Sequence, residues 1–324
     1  MSGKKTNLEL VAACDSFPYI HIPSLPHNGD EKSSFYQFLL PDDSRPHGYL
    51  LPSTVKAMPW TDDFIVGHER PRTVQLLDSS KGQDTSSACN AALKKVISNA
   101  TTAKAFKVLA SPLHEDYRII GAKYPVQMER TASSLFGIAH RGAHMTVYTR
   151  TAEGMKIWVP RRAPNLFTYP NKLDTTVAGG VKAEHSPWEC IVQEADEEAS
   201  LPESLVRSQA RSTGVLTYLA KSGQGDGGEF GLMVPDCIYV FDLEVSEDVI
   251  CKPKDGEVKE FYLWDIERVK LALSEAEFKT NCAAVMIDFF IRHGIITNEN
   301  EKDYLEIMSR MHRKLPVPTS SLSS

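Results

Sequence analysis

The sequence predicts an α/β protein, α+β overall, built as two domains, and three observations carry that expectation. At 324 residues, 42% hydrophobic and 24% charged, the chain is long enough for two cores at roughly 100–200 residues each. After Glu129 come segments that alternate apolar and polar residues or run β-branched and aromatic, as strands do, with capped helices between them. Before about Tyr124 the texture differs: apolar blocks, turn clusters and one helical stretch. The expected layout is a flexible N-terminus over 1–28, a small α+β domain over 29–125, a second domain over 130–315 and a disordered tail over 316–324.

In chain order, Phe35 to Tyr49 is an apolar run followed by Pro, Asp, Ser and Gly, the residues of turns. Leu50 to Val66 is a second apolar–aromatic block, and Ser79 to Ala88 is a polar loop. Alanines, lysines and leucines recur at helical spacing from Cys89 to Leu109. The strand-like segments are LFGIAHRGAHMTVYTR, MKIWVPRR and IYVFDLEV. KSGQGDGGEFG, Lys221 to Gly231, has the glycine content of a mobile loop. A helix pair follows FYLWDIERV: Ser274 and Glu277 form a capping box, CAAVMIDFFI supplies the apolar face and Gly294 the stop. The second helix, about Asn298 to Arg313, places Tyr304, Leu305, Met308 and Met311 on one face. No internal repeat is visible.

Composition narrows the function. A balance of 36 Lys+Arg against 42 Asp+Glu, net charge −6, argues against a nucleic-acid coat, which needs a basic surface. Six cysteines lie far apart without a Cys-x-x-Cys pair, the usage of reduced, buried thiols. No stretch has signal-peptide character or the roughly 18 apolar residues of a membrane span, so a cytoplasmic protein without a membrane partner is expected.

The chemistry concentrates between Asp174 and Leu201. Gly179 and Gly180 follow a strand, where glycine allows a tight bend or the close approach of a ligand. Ser186 as N-cap, Pro187 at the first position and Glu189 three residues on predict a helix start with a capping box. Trp188, Ile191, Val192, Ala195 and Ala199 then form an apolar stripe, and Glu194, Glu197 and Glu198 fall on one edge of it. Glu-rich helical sequence is usually a solvated face. Three carboxylates beside a buried face, however, repel one another unless a cation joins them, and hard oxygen ligands favour Mg²⁺ or Mn²⁺. Arg161 and Arg162 end the strand IWVP and are either plain surface or, with their planar forks, phosphate binders. Trp158, Tyr169 and Trp264 are either core or a stacking surface for a ring, and Asp174 orients either the loop or a substrate group. His140 and His144 have no third zinc ligand nearby in sequence.

From Gly179 the segment resembles the Nudix box, G-x5-E-x7-R-E-U-x-E-E-x-G-U, without a gap. Gly179, Glu194, Glu197, Glu198 and Leu201 match and Ala195 stands loosely at the first U, whereas His185, Gln193 and Ser200 replace Glu, Arg and Gly. A neutral His185–Gln193 hydrogen bond is the expected substitute for the family's brace. LFGIAHRGAHMTVY, IWVPRRAPNLFTYPNKLDTTVAGG, DGEVKEFYLW and NCAAVMIDFFIRHGIIT, with FYQFLLPDDSRPHGYLLPSTV before them, are similar to one Nudix subgroup over roughly residues 30 to 315. That subgroup carries an extra N-terminal domain, which in some fungi precedes a thiamine pyrophosphokinase.

The resemblance implies a Nudix α/β/α sandwich with a mixed sheet, and Mg²⁺-dependent hydrolysis of a small-molecule diphosphate. Oxidised thiamine diphosphate analogues, such as oxo- and oxythiamine diphosphate, would be cut to monophosphates. It implies Glu194 and Glu198 as metal ligands, Glu197 as a further ligand or base, Glu257 and Glu260 as candidates for an additional carboxylate, and Gly179 and Gly180 as part of the substrate site. Cys190 lies beyond the usual place of an isomerase cysteine. The rival expectation is a Nudix-fold sensor that binds a diphosphate without turning it over. The N-terminal domain is expected either to cover the substrate pocket or to form a homodimer.

Overall fold

The computed structural model describes residues 3–19, 35–111, 115–223 and 228–321. Its first element is α1 (Asn7–Cys14), which begins in a complete capping box: Thr6 accepts from the Glu9 amide and Glu9 from the Thr6 amide. Leu10, Val11 and Cys14 bury in the core of the second domain. Asp15, 2% exposed, then meets Arg313, 9% exposed, at 3.0 Å. This corrects the expectation of a flexible N-terminus for residues 3–19. The partners of the helix lie some 200 to 300 residues away, so local sequence holds no sign of them. Residues 20–28 of that expectation lie outside the described residues.

The first domain places β1 (Tyr36–Leu39), β2 (Gly48–Leu50), α2 (Pro52–Ala57), β3 (Phe64–Gly67) and β4 (Thr73–Leu76) ahead of a long α3 (Thr85–Thr102). The sheet order is β2-β1-β4-β3, parallel only between β1 and β4. Asp84 caps α3, whose Cys89, Leu93, Val96 and Ile97 share one core with Phe38, Val74 and Leu76. A two-stranded ribbon, β5 (Asp116–Arg118) and β6 (Gln127–Glu129), leads into α4 (Arg130–Phe136). Ala132, Leu135, Phe136 and Ile138 belong to this first core, which therefore runs past the expected boundary at 125.

The second domain begins with β7 (His140–Thr151), β8 (Gly154–Arg162) and β9 (Val177–Gly180), then α5 (Pro187–Ala199) and α6 (Glu203–Gln209). It continues through β10 (Arg211–Lys221), β11 (Met233–Glu244), β12 (Val258–Asp265), α7 (Ile266–Ser274), α8 (Thr280–Arg292) and α9 (Tyr304–Met311). The sheet order is β10-β11-β7-β8-β12, mixed because β11 and β7 run parallel, and β9 pairs with the first half of β7. Alternation along β7 sends Ala143, Met145 and Val147 to the core under α5 and Tyr148 to the core under α8. The result is the expected α/β/α sandwich.

Several local expectations are overturned by packing. Ser274 ends α7, and α8 starts after Lys279 without a side-chain cap, so the Ser274–Glu277 box does not form. Glu277 instead accepts from Arg161 at 3.2 Å and Arg268 at 3.1 Å. The last helix covers only Tyr304–Met311; Leu305 is 80% exposed, and Ile307 takes its place in the core. Leu315 and Val317 are buried beside Tyr49, so the tail is packed rather than disordered at its start, and 322–324 lie outside the described residues. Of the glycine-rich loop, 224–227 lie outside the described residues, while Glu229 accepts from the amides of Lys107 and Val108. Among the described residues, no helix is long and apolar enough to cross a membrane.

The Asp15–Arg313 pair ties the first helix to the chain's far end. Asp15→Ala leaves the Arg313 guanidinium buried without its counter-charge, so urea denaturation should show a loss of about 3–5 kcal/mol. A loss below about 1 kcal/mol would mean that α1 is not held by this pair.

Candidate metal centre

The α5 helix starts as its sequence dictates. Ser186 Oγ accepts from the Glu189 amide at 3.1 Å and Pro187 occupies the first turn. Only this half of the expected capping box forms, because the Glu189 carboxylate is taken by Arg207 of α6 at 2.6 Å. Cys190, Ile191, Val192, Ala195 and Ala199 are buried, and Trp188 packs on Phe241. Ser200 ends the helix in the left-handed region at φ 56°, the conformation for which glycine is the usual choice.

This seating turns Glu194 and Glu198 towards β9. Glu198 is 6% exposed and accepts from the Ala178 amide at 2.8 Å. The Glu194 carboxylate fills the space where a Cβ on Gly179 would stand, so glycine here makes room for that side chain. Burial, with Glu197, Glu257 and Glu115 adding, raises the Glu194 carboxyl to about 7. Burial, with Asp174 and Glu194 adding, pushes Glu198 well above the ordinary carboxylate range. Glu197 accepts from Gln193 Nε2 at 2.8 Å, which replaces the expected His185–Gln193 bond. Glu257 is near enough to act on both Glu194 and Glu198, whereas Glu260 is engaged with Tyr262 and with Lys259 at 3.3 Å. A glycine cradle and hard carboxylate oxygens, each destabilised in ionised form by the others, fit a divalent cation such as Mg²⁺ or Mn²⁺.

The other candidates divide. Arg162 Nη1 donates to Asp174 at 2.8 Å and Arg161 to Glu277 and the Asn171 carbonyl, so both guanidinium groups are held by the protein. Asp174 is buried; although burial opposes it, Lys279 and Arg162 hold its carboxyl well below the usual range. It also accepts from Cys282 Sγ at 2.6 Å, and His144 Nδ1 meets Thr175 Oγ1 at 2.9 Å. His144, Asp174 and Cys282 thus form a buried group within 4.8 Å that the sequence did not bring together. Sγ and Oδ1 stand closer to each other than two ligands sharing an ion would. Trp158, 9% exposed, is core, Trp264 stacks on Tyr262 at 4.8 Å, and Tyr169 lines a cavity described below.

Four further residues reach the site, three from before the box and Lys182 from the variable stretch after Gly179. Arg130 of α4 donates to Glu115 at 2.8 Å, Lys182 pairs with the same carboxylate at 3.2 Å, and the Arg130 guanidinium lies over the Tyr117 ring at 5.4 Å. Gly180 has no room for a Cβ because Tyr117 and Arg130 stand there, and Arg130, Lys182 and Glu115 all interact electrostatically with Glu194. Nothing in their local sequence marks them.

Residues 140–282 match the NUDIX domain family model, a stretch that starts with β7 and ends in α8. The chain is 41% identical over 213 residues to an uncharacterized protein of Saccharomyces cerevisiae, covering 64% of this chain and 62% of that one. It is 33% identical over 188 residues to the chloroplastic Nudix hydrolase 20 of Arabidopsis thaliana, covering 58% and 48%. For the chloroplastic Nudix hydrolase 24 of the same plant the match is 32% over 185 residues, covering 57% and 48%. The chain spans less than two thirds of the length of each relative.

The raised Glu194 carboxyl sets a pH signature. Its folded pKa lies above the ordinary 4.5, so it contributes stability below that value and loses it as pH rises through about 7. Metal-free protein should therefore lose thermal stability relative to Glu194→Gln between about pH 5 and pH 8, and Mn²⁺ should restore it. Parallel curves for the two proteins, or no effect of Mn²⁺, would remove Glu194 from the metal centre. Gly179→Ala should weaken Mn²⁺ binding by displacing the Glu194 carboxylate.

Proposed function

We propose that this protein is a Mg²⁺-dependent hydrolase, with Mn²⁺ as substitute, that cuts a diphosphate, with thiamine-type diphosphates, above all oxidised ones, as substrates. The observation that carries the reading is the buried Glu194–Glu198 pair against the Gly179 cradle: two carboxyls at i and i+4 whose ionised forms burial and neighbouring carboxylates disfavour. Glu194 and Glu198 would hold the ion, with Glu257 completing the set. The ion, when bound, supplies charge neutralisation on the phosphoanhydride and a water of lowered pKa. Glu197, oriented by Gln193, is left to take the proton from the attacking water. The new bond is water oxygen to terminal phosphorus, the broken one is the bridging P–O bond, and the products are monophosphate and phosphate.

Arg162 and Asp174 act on substrate through position. Their ion pair fixes the segment entering β9, and with it the Ala178 amide that holds Glu198. Arg130 and Lys182, which act electrostatically on Glu194, are suited to the phosphates. The thiamine assignment rests on the sequence resemblance over roughly residues 30 to 315. A cytoplasmic setting is supported by six free, buried cysteines.

The test is phosphate release from oxothiamine, oxythiamine and thiamine diphosphates, with ADP-ribose and NADH as controls, in Mg²⁺ and in EDTA. Release is expected from the thiamine series only with metal, and Glu198→Gln should lower kcat/KM by about 100-fold or more. Release from the nucleotides alone would retain the hydrolase and discard the thiamine substrates. Metal-independent binding without turnover would discard the hydrolase in favour of a sensor.

A further inference from the structure

A cavity of about 440 Å³ opens on the α8 side of the large sheet. Asp236 of β11, His140 of β7 and Tyr218 of β10 form its polar end, with Tyr169, Lys279 and Asn281 around it. Ala13 from α1 and Val108 from the first domain close it, so the cavity exists only because the two cores and the N-terminal helix meet there.

The protons at its polar end can be assigned. Ser133 Oγ donates to the Arg130 carbonyl, so it has only lone pairs left for His140 Nε2 at 2.7 Å. His140 must then carry its proton on Nε2 and present Nδ1 as a bare acceptor, and burial, with Arg130 adding, keeps the ring neutral by lowering its pKa to about 4. Nδ1 lies 4.0 Å from Asp236 Oδ1, while Tyr218 donates to the same carboxylate. Burial raises the Asp236 carboxyl to about 7 despite the Tyr218 bond, and a ligand N–H placed between it and His140 Nδ1 would satisfy both groups and favour the ionised carboxylate.

A chain of side-chain contacts links the cavity to the surroundings of the glutamates. The His140 ring packs on Tyr117 at 5.8 Å, and Tyr117 stands against Gly180, next to the Gly179 that makes room for Glu194. Gly180 is level with Gly142, two residues or about 7 Å along β7 from His140. Arg130 lies beside this path, over the Tyr117 ring.

We propose that this cavity binds the organic head of the diphosphate substrate, a flat nitrogen heterocycle whose N–H or amino group donates to Asp236 and His140. This rests on the hydrolase reading above and gives the first domain a role in substrate selection. The full-length protein and Asp236→Asn are compared on thiamine diphosphate and on methyl diphosphate, which has no head. KM for thiamine diphosphate should rise about 10- to 100-fold in the variant while methyl diphosphate hydrolysis is unchanged. Equal losses on both substrates, or no loss on either, overturn the proposal. If the wild type cuts neither, the hydrolase reading falls and the cavity is judged separately by calorimetry of metal-free protein with thiamine, oxythiamine and adenosine, none of which carries phosphate. Binding of one of them that Asp236→Asn loses supports the cavity; equal binding in both proteins, or none at millimolar concentration, overturns it.

Discussion

The burial of Glu198 is the constraint around which the second domain is arranged. A carboxylate 6% exposed is costly unless its charge is met, and the protein offers it one backbone amide, from Ala178. That amide is presented by β9, which is held in turn by four residue pairs with β7 and by the Arg162–Asp174 pair just before it. Gly179 leaves its Cβ out so that Glu194 can stand beside Glu198. The fold therefore holds together two carboxyl groups whose ionised forms it disfavours, an arrangement that a divalent cation would relieve.

Around this centre the two cores are interdependent. Arg130, Tyr117 and Glu115 come from the segment that ends the first domain, yet they pack on Gly180 and act on Glu194. The N-terminal helix buries in the second core, and Arg313 at the far end of the chain holds Asp15 just after it. Separating the domains would expose the Gly180 side of the glutamate cluster and the cavity that both cores line.

The three departures from the Nudix box have distinct physical outcomes. Gln193 turns to Glu197 instead of to His185, so the helix edge is braced along its own axis rather than to the preceding loop. Ser200 accepts the left-handed conformation that glycine would adopt freely, and its hydroxyl donates to the Lys252 carbonyl at 3.0 Å. His185 is joined to Lys182 through the backbone. None of the three displaces Glu194, Glu197 or Glu198 from the edge of the helix that faces β9 and its surroundings.

The sequence by itself determined what repeats at short range: the capped start of α5, its apolar stripe, the glutamates on one edge, the alternation of β7 and the glycine pair. Each follows from helix or strand period and from the steric freedom of glycine, and those are properties of neighbours in the chain. It misjudged the features that depend on distant partners. Thr6 and Glu9 fold a helix only worth keeping because α8 and α9 cover it, while Ser274 and Glu277 have a capping-box spacing that Arg161 and Arg268 break by claiming the carboxylate. Tertiary structure alone decided that Arg161 and Arg162 face protein carboxylates, that Cys282 meets Asp174, and that Arg130 and Tyr117 stand against Gly180. The reason is physical: periodicity tells which face of an element is apolar, but what a polar group meets there depends on the element packed against it.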